Sequence, residues 1–274
     1  MKIMIQAWHV TQTQNIRLEL EASSPDEFTR QLPDPDGYYS TFRTFDGCTR
    51  VLGLTAHLRR LYEPVPTPEV SESFLRRQLL TLLEPYRPDE ARVRVVMTKQ
   101  GQVYIASEPL KSLRREVYET GVRVEATEIQ REHPRLKSTT FIGQSDSERK
   151  HIAQEGFFEA LLVKDGKILE GMTSNFFYVN DNILYTAQDD ILLGITRKTV
   201  IDVARGRGVD VKYEPLERNQ LTNVHEAFIT SSSRGIVPVI QIDNITIGQG
   251  RPGPITMELS AGYDHYVIEK AEKI

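Results

Sequence analysis

The sequence is poor in the residues and runs that define several classes of protein. Its 274 residues include a single cysteine, Cys48, so no disulfide can form within the chain, which fits a reducing compartment. Residues 45–49 around it are turn-like, which favours a small hairpin residue over a reactive thiol. No run of 18 apolar residues occurs, and residues 1–8 lack the apolar stretch and cleavage site of a secretory leader. We expect a cytoplasmic protein.

Basic charge is not in excess either. Lysine and arginine total 34 against 38 acidic residues, a net charge of −4, which argues against nucleic acid or an anionic membrane as a partner. The six histidines lie at no metal-binding spacing, so no metal site is predicted. Hydrophobic residues make up 39% and charged residues 26%, as in ordinary globular chains of one large or two small domains.

Local patterns predict a mixture of helices and strands in the first half. Residues 91–98 and 103–106 are strand-like and are joined by the Lys-Gln-Gly-Gln turn at 99–102, which predicts a hairpin. Ser71 precedes leucines at helical spacing that stop before Pro85, which predicts a capped helix.

The second half is predicted to be mainly antiparallel sheet. A charged run at residues 128–136 favours a linker, and Ser145 with Glu148 favours a capping box for a helix that ends at Gly156. Turn residues separate the short strands that follow. Strands are predicted at residues 122–126, 160–163, 168–170, 176–179, 183–186 and 227–230, and a further helix at residues 196–204.

Four features of the sequence suggest a chemical function, and each also has a simpler structural explanation. Glu170 ends an apolar strand and is either solvated or an acceptor in a pocket. The helix start at 194–197 offers unpaired N–H groups to an anion, although most helix starts bind only water. Residues 230–235 are rich in hydroxyls and either bind phosphate or form a polar loop. Lys137 has apolar neighbours, which favour the loss of its proton, but surface lysines are more common.

In their order along the chain, these segments resemble the class IV, fold-type IV enzymes that depend on pyridoxal phosphate. That family includes branched-chain and D-amino-acid aminotransferases and aminodeoxychorismate lyase. The ordered series spans about four fifths of the chain, and its joint order is far more specific than any one motif. The matching segments are residues 36–43, 57–61, 137, 158–162, 170–175, 194–197, 228–232, 237–239 and 248–254.

The resemblance implies a two-domain α/β (α+β) fold with the cofactor, pyridoxal 5'-phosphate, between the domains. The N-terminal α/β domain would span residues 1–115. The cofactor-binding domain would span residues 120–274 and form a mainly antiparallel pseudo-barrel with flanking helices. The family also implies a homodimer.

The resemblance assigns roles residue by residue. Lys137 would form the Schiff base with the cofactor and act as the general base, with a pKa well below that of a free lysine. Glu170 would pair with the pyridine nitrogen. The implied contacts to the cofactor phosphate are Arg60, the backbone N–H groups of Ile195 and Thr196, and the hydroxyls of Ser231 and Ser232.

The implied activity is transfer of an amino group between an amino acid or amine and a 2-oxo acid. The alternatives are a lyase of the aminodeoxychorismate type, which releases pyruvate, and a cofactor-binding protein without catalysis. Many relatives carry an Asn-Tyr pair where this chain has Phe141 and Ile142, so Thr139, Thr140 or a water would have to support the ring hydroxyl.

Recognition of the substrate carboxylate is the least defined part of the resemblance. The turn at residues 99–102 lacks the arginine-bearing extension of D-amino-acid aminotransferases, which disfavours a standard enzyme of that kind. A carboxylate needs a cation or hydrogen-bond donors, although Arg94 shares a strand face with Arg92 and both are alternatively just solvated. The candidates are Tyr38, Arg43, Arg94 and Lys99.

Overall fold

The computed structural model describes residues 5–274, which fold into two compact units. The first unit contains residues 5–111, 136–143 and 270–274, and the second contains residues 112–135 and 144–269. The expectation about a leader concerns residues 1–8, of which residues 1–4 lie outside the described residues. Among the described helices, none is both long and apolar enough to cross a bilayer.

The elements are numbered in chain order. The strands are β1 (Gln6–Val10), β2 (Asn15–Arg17), β3 (Gly37–Arg43), β4 (Arg50–Val51), β5 (Ala91–Thr98), β6 (Val103–Pro109), β7 (Val122–Thr127), β8 (Glu159–Lys164), β9 (Lys167–Gly171), β10 (Asn175–Asn180), β11 (Ile183–Tyr185), β12 (Val211–Lys212), β13 (Leu216–Glu217), β14 (Glu226–Ser231), β15 (Gly235–Ile242), β16 (Ile245–Thr246) and β17 (Glu272–Lys273). The helices are α1 (Pro25–Gln31), α2 (Leu54–Tyr62), α3 (Glu72–Leu83), α4 (Arg115–Thr120), α5 (Thr140–Gln144), α6 (Asp146–Glu155), α7 (Ile195–Gly206) and α8 (Pro254–Lys270), with 3-10 turns at Glu84–Tyr86 and Arg218–Asn223.

The first unit is built on a five-stranded antiparallel sheet in the order β2-β1-β6-β5-β3. The predicted hairpin is confirmed as β5 and β6, with Met97 opposite Val103. The capped helix is confirmed as α3, since the Ser71 hydroxyl accepts from the Phe74 N–H at 3.3 Å. Leucines of α2 and α3 bury one face of the sheet, and Phe28 of α1 belongs to a second apolar cluster that contains the other face.

The second unit is built around a closed ring of strands. The ring runs β10-β14-β15-β7-β8-β9 and closes where Asn175 of β10 pairs with Glu170 of β9. The β15–β7 and β7–β8 pairs are parallel and the other pairs in the ring are antiparallel. Helices α4, α6 and α7 pack against β15, β8 and β14. The expected mainly antiparallel pseudo-barrel with flanking helices is therefore confirmed.

The predicted capping box of α6 is wrong, although the helix itself is present. Ser145 has φ −92° and ψ 6°, which is not the extended conformation of a capping residue, and its side chain makes no capping hydrogen bond. The Ser145 hydroxyl instead accepts from Arg149 Nε at 3.1 Å. The predicted stop at Gly156 is confirmed, because this residue adopts the left-handed conformation that favours glycine.

Candidate active site

In the first unit, the segment that carries Lys137 runs along β3, the last strand of the sheet. The Lys137 carbonyl accepts from the Tyr39 N–H at 2.9 Å, and the Thr139 N–H donates to the Gly37 carbonyl at 3.0 Å. The Thr139 hydroxyl also accepts from the Gly37 N–H at 3.0 Å and donates to the Gly37 carbonyl at 3.1 Å. These bonds fix the backbone of Lys137 and bring it to the predicted motif at residues 36–43.

Tyr39 forms the immediate surroundings of the Lys137 side chain. Lys137 is partly buried, and its Nζ lies 4.9 Å from the centre of the Tyr39 ring. The Arg94 guanidinium lies 4.5 Å from the same ring centre. A ring next to two cations attracts both through its electron-rich face. Tyr39 was not among the predicted site residues, although it lies in the predicted motif.

Helix α2 brings His57 and Arg60 into the electrostatic environment of Lys137. The His57 ring is buried and its Nδ1 lies 2.7 Å from the Ser40 hydroxyl. Burial lowers the pKa of His57 well below its ordinary value, and the positive charges of Arg60 and Lys137 lower it further. His57 is therefore a neutral ring beside two cations. It lies in the predicted motif at residues 57–61, but no separate role was predicted for it.

Two of the predicted carboxylate-binding cations already pair with acids in the first unit. Arg94 is 4% exposed, so the alternative that it is solvated is wrong; its Nη1 donates to Asp26 at 2.5 Å. Lys99 lies on the surface with its Nζ 2.7 Å from Asp36. These partners weigh against a role for either cation in binding a substrate carboxylate.

The other two candidates lie at opposite ends of β3. Tyr38 pairs with Ser138, next to Lys137. Arg43 stacks on Phe45 at 4.7 Å, and its buried Nε has no hydrogen-bond partner among residues 5–274. Arg43 lies four positions along the strand from Tyr39, which corresponds to about 13 Å of backbone. This distance favours Tyr38 over Arg43 as the residue that binds the substrate carboxylate.

The two apolar residues that replace the family's Asn-Tyr pair are part of the core. Phe141 and Ile142 lie in α5 and are almost completely buried. They offer no side-chain polar group to a cofactor. The Thr139 hydroxyl is hydrogen-bonded to the Gly37 backbone, whereas Thr140 is exposed and its hydroxyl accepts from the Ser138 hydroxyl at 3.0 Å. Thr140 is thus the more accessible of the two threonines.

In the second unit, Glu170 lies at the closure of the strand ring and is held by a buried ion pair. Its Oε1 accepts from Arg131 Nε at 3.3 Å, and the two side chains are 3% and 6% exposed. Its Oε2 accepts from Asn175 Nδ2 at 3.2 Å and from the Leu192 N–H at 3.0 Å. Glu170 is therefore not a solvated strand end. Arg131 was missed because residues 128–136 have the composition of a linker and its partner lies 39 residues away.

The predicted phosphate-binding residues of the second unit lie around the start of α7. The helix begins after Gly194 with no side-chain capping bond and no acidic residue in its first turn. A Cβ at position 194 would run into the Asn175 side chain, so glycine is needed there. Thr196 Oγ1 donates to Ser232 Oγ at 3.4 Å, which brings two predicted residues together. Ser231 accepts from Arg234 Nε at 3.0 Å.

The candidate residues thus form one set in each unit. The first unit brings together Lys137 and Arg60, and the second brings together Thr196 and Ser232. Glu170 also belongs to the second unit, where Asn175 holds its carboxylate and faces Gly194 at the start of α7.

Residues 37–242 match the family model described as amino-transferase class IV. The chain is a class IV aminotransferase. Enzymes of this family use pyridoxal 5'-phosphate, and the chain is a pyridoxal-phosphate-dependent aminotransferase. The family and the named relatives support transamination over the lyase alternative.

Two relatives and one solved structure illustrate the match. The D-alanine aminotransferase of Bacillus licheniformis is 27% identical over 262 residues, which are 87% of this chain and 90% of the relative. The branched-chain-amino-acid aminotransferase of Pseudomonas aeruginosa is 29% identical over 164 residues, 57% of this chain and 53% of the relative. The crystal structure of the branched-chain amino acid aminotransferase of Escherichia coli has a TM-score of 0.77 at 23% identity, covering 99% of this chain and 97% of that chain. At that identity, the structure shows the shared fold alone.

The donors and acceptors of this aminotransferase fit its cofactor. The cofactor phosphate requires anion-binding groups, and the uncapped start of α7 supplies N–H groups and a positive dipole end. Thr230, next to Ser231, has a buried hydroxyl with no partner among the described residues. Glu170 is a buried carboxylate held in one orientation, as pairing with a protonated ring nitrogen requires.

Proposed function

We propose that the enzyme transfers the amino group of an aliphatic L-amino acid to a 2-oxo acid, with Lys137 as its reactive lysine. The observation that carries the assignment of Lys137 is its fixed backbone beside β3, with Tyr39 at 4.9 Å and the charges of Arg60 and Lys137 acting together on His57. The branched-chain aminotransferase relatives support an aliphatic donor. A fixed backbone limits where the amine can move, as a covalent attachment point requires.

The residues have separate tasks in the proposed mechanism. When bound, the cofactor supplies an aldehyde that accepts the amino group and an electron-withdrawing ring. Lys137 Nζ holds the cofactor before the reaction, then removes the proton from Cα of the donor. It returns a proton to Cα of the new amino acid in the second half-reaction.

The remaining proposed residues bind and orient. Glu170 keeps the ring nitrogen protonated, and Arg131 and Asn175 hold Glu170 in place. The proposed phosphate ligands are Arg60, the backbone N–H groups of Ile195 and Thr196, and the hydroxyls of Ser231 and Ser232. Tyr38 is proposed to donate to the substrate carboxylate, because it pairs with Ser138 next to Lys137.

The stereochemistry of the donor rests on the hairpin between β5 and β6. Its turn contains Lys99, which pairs with Asp36, and no arginine. This supports L-amino acids, whereas the D-alanine aminotransferase relatives favour D-alanine as the second candidate donor.

A scan of donors tests the proposed function. The chain loaded with pyridoxal phosphate is mixed in turn with both enantiomers of alanine, valine, leucine and isoleucine while the cofactor absorbance is followed. We expect the L-forms of the aliphatic donors to bleach the band and to yield 2-oxo acids. A larger response to D-alanine than to every L-donor would replace this proposal by the second candidate. Release of pyruvate from aminodeoxychorismate would show instead that the enzyme is a lyase.

Three organisational features complete the proposal. We propose a homodimer in the cytoplasm, with domains of residues 1–115 and 120–274; residues 136–143 and 270–274 of the second domain belong to the first compact unit. The single, buried thiol of Cys48 supports a reducing compartment. Light scattering of the purified chain should give twice the monomer mass, and cell fractionation should recover the enzyme with cytoplasmic markers.

A further inference from the structure

Arg234 connects three segments of the second unit, and the proposed function gives it no role. It follows the hydroxyl cluster in the turn between β14 and β15, and its Nε donates to the Ser231 hydroxyl at 3.0 Å. Its Nη2 donates to Glu159 Oε2 at 3.0 Å and to Thr173 Oγ1 at 2.7 Å. One guanidinium therefore joins the hydroxyl cluster to β8 and to the loop that follows β9.

The partner carboxylate is fixed from the same loop. Glu159 is buried, and its Oε1 accepts from the Thr173 N–H at 2.5 Å and from the Thr173 hydroxyl at 2.8 Å. The Thr173 hydroxyl thus accepts from Arg234 and donates to Glu159, which uses both of its capacities without conflict. The Arg234 side chain also stacks on Phe158, with 5.2 Å from its Cζ to the ring centre. The ion pair between Arg234 and Glu159 therefore has a fixed geometry, because each of the two charged groups is held by several partners.

The contact to Ser231 has a chemical consequence. A hydroxyl that accepts from an arginine cannot donate back to it, because the guanidinium has no acceptor. The Ser231 proton is therefore directed to another acceptor, and the positive charge of Arg234 strengthens Ser231 as a donor to an anion. Ser232, the next residue, lies 3.4 Å from Thr196 at the start of α7.

We propose that Arg234, held by Glu159, is a positioning residue that sets the Ser231–Ser232 hydroxyls for the cofactor phosphate. This inference rests on the proposed function, in which these serines bind that phosphate. Thr173 links the same ion pair to the strand end that carries Glu170, three residues earlier. Loss of Arg234 should therefore weaken binding of the phosphate group in particular.

The test compares the cofactor with pyridoxal, which lacks the phosphate. The chain freed of cofactor is titrated with each compound, and dissociation constants are measured from absorbance for the wild type, Arg234→Gln and Arg234→Lys. We expect Arg234→Gln to weaken pyridoxal phosphate about tenfold and pyridoxal by less than about twofold. Lysine should restore only part of the loss, because it lacks the planar fork of arginine. Arg218→Gln is the matched control, since Arg218 pairs with Asp243 at 2.9 Å on the surface of the same unit.

Thr173→Ala is a milder second variant, which keeps the test decisive if Arg234→Gln does not fold. Thr173 is exposed, so Thr173→Ala should fold and weaken pyridoxal phosphate about fivefold, again with little effect on pyridoxal. Equal weakening of both compounds, or no weakening in either variant, would overturn the inference and leave the proposed function intact. A wild-type chain that binds pyridoxal phosphate without attaching it to Lys137 would overturn the proposed function itself.

Discussion

In the first unit Lys137 is held through its backbone, whereas in the second unit Glu170 is held through its side chain. The Lys137 segment is bonded to β3 by main-chain groups and one threonine hydroxyl. Glu170 depends on a buried arginine, a buried amide and one N–H group. Backbone bonds survive a change of side chain, but a buried ion pair does not. The two units should therefore respond differently to substitution.

The largest effect is expected at Lys137 and should fall on catalysis alone. Lys137→Ala removes the proposed nucleophile and base, so kcat should decrease by about 10³-fold or more. The free energy of unfolding should change by less than about 1 kcal/mol, because the backbone bonds that hold the segment to β3 remain after the side chain is removed. Steady-state kinetics and urea unfolding measure both. The exposed Lys111→Ala is the control, and normal turnover by Lys137→Ala would refute the assignment.

The next largest effect is expected at Glu170 and should fall on stability as well as catalysis. Glu170→Gln removes the carboxylate charge that pairs with the buried Arg131, which should cost about 3 kcal/mol. The same exchange at Glu217, whose exposed side chain lies 3.8 Å from Lys167, should cost less than about 1 kcal/mol. If Glu170→Gln lost no more stability than Glu217→Gln in chemical denaturation, Glu170 would be as tolerant of substitution as Lys137, and the contrast between the units would be lost.

A smaller effect is expected where the Lys137 segment uses a side chain. Thr139→Val removes the hydroxyl that accepts from the Gly37 N–H, a loss of about 1–2 kcal/mol, while the backbone bond between the same residues remains. Turnover should therefore decrease by less than about tenfold. Thr81→Val, on the exposed side of α3, serves as the control for the exchange. A loss of activity as large as that of Lys137→Ala would mean that the hydroxyl, and not the backbone, holds the lysine.

The smallest effect concerns the pH dependence of stability in the first unit. Because the pKa of His57 lies well below its ordinary value of 6.5, the unfolded chain binds a proton more readily than the folded chain. The contribution of the neutral His57 ring to the free energy of unfolding is therefore complete above about pH 6.5. This contribution is lost as the pH falls below that value. His57→Gln should make the decline between pH 7 and 5 shallower by up to about 1.4 kcal/mol per pH unit.

The matched control for that measurement is His265→Gln, because His265 is exposed on α8. Urea unfolding at several pH values compares the two variants with the wild type. An unchanged slope for His57→Gln would show that His57 takes up its proton in the folded chain as readily as in the unfolded one.

The contrast between local and distant contacts explains what could be predicted from the sequence. The Ser71 cap and the turn at residues 99–102 involve residues a few positions apart, and both were correctly predicted. The closure of the strand ring at Glu170 and Asn175 is also local, but the parallel pairing of β15 with β7 joins residues more than a hundred positions apart. No local pattern encodes such a pairing, and the pseudo-barrel was expected only through the family resemblance.

The site shows the same division. Lys137, Glu170 and Thr196 lie in recognisable motifs, and so do their partners Tyr39, Asn175 and Ser232. The two arginines of the site, Arg131 and Arg234, were not predicted. Arg131 lies in a charged run typical of a linker, and Arg234 follows three serines without any pattern of its own. Arg131 contacts the distant Glu170, and Arg234 contacts the distant Glu159 and Thr173, so no local pattern encodes these side-chain contacts.

The point of cofactor attachment provides the most direct test. The purified enzyme loaded with pyridoxal phosphate is reduced with borohydride, digested, and its peptides are sequenced by mass spectrometry. We expect one phosphopyridoxyl group, on the peptide that contains Lys137, and none in the Lys137→Ala chain. A reduced adduct on any other lysine of the wild-type enzyme, or on the same peptide after Lys137→Ala, would contradict the assignment of Lys137 as the reactive lysine.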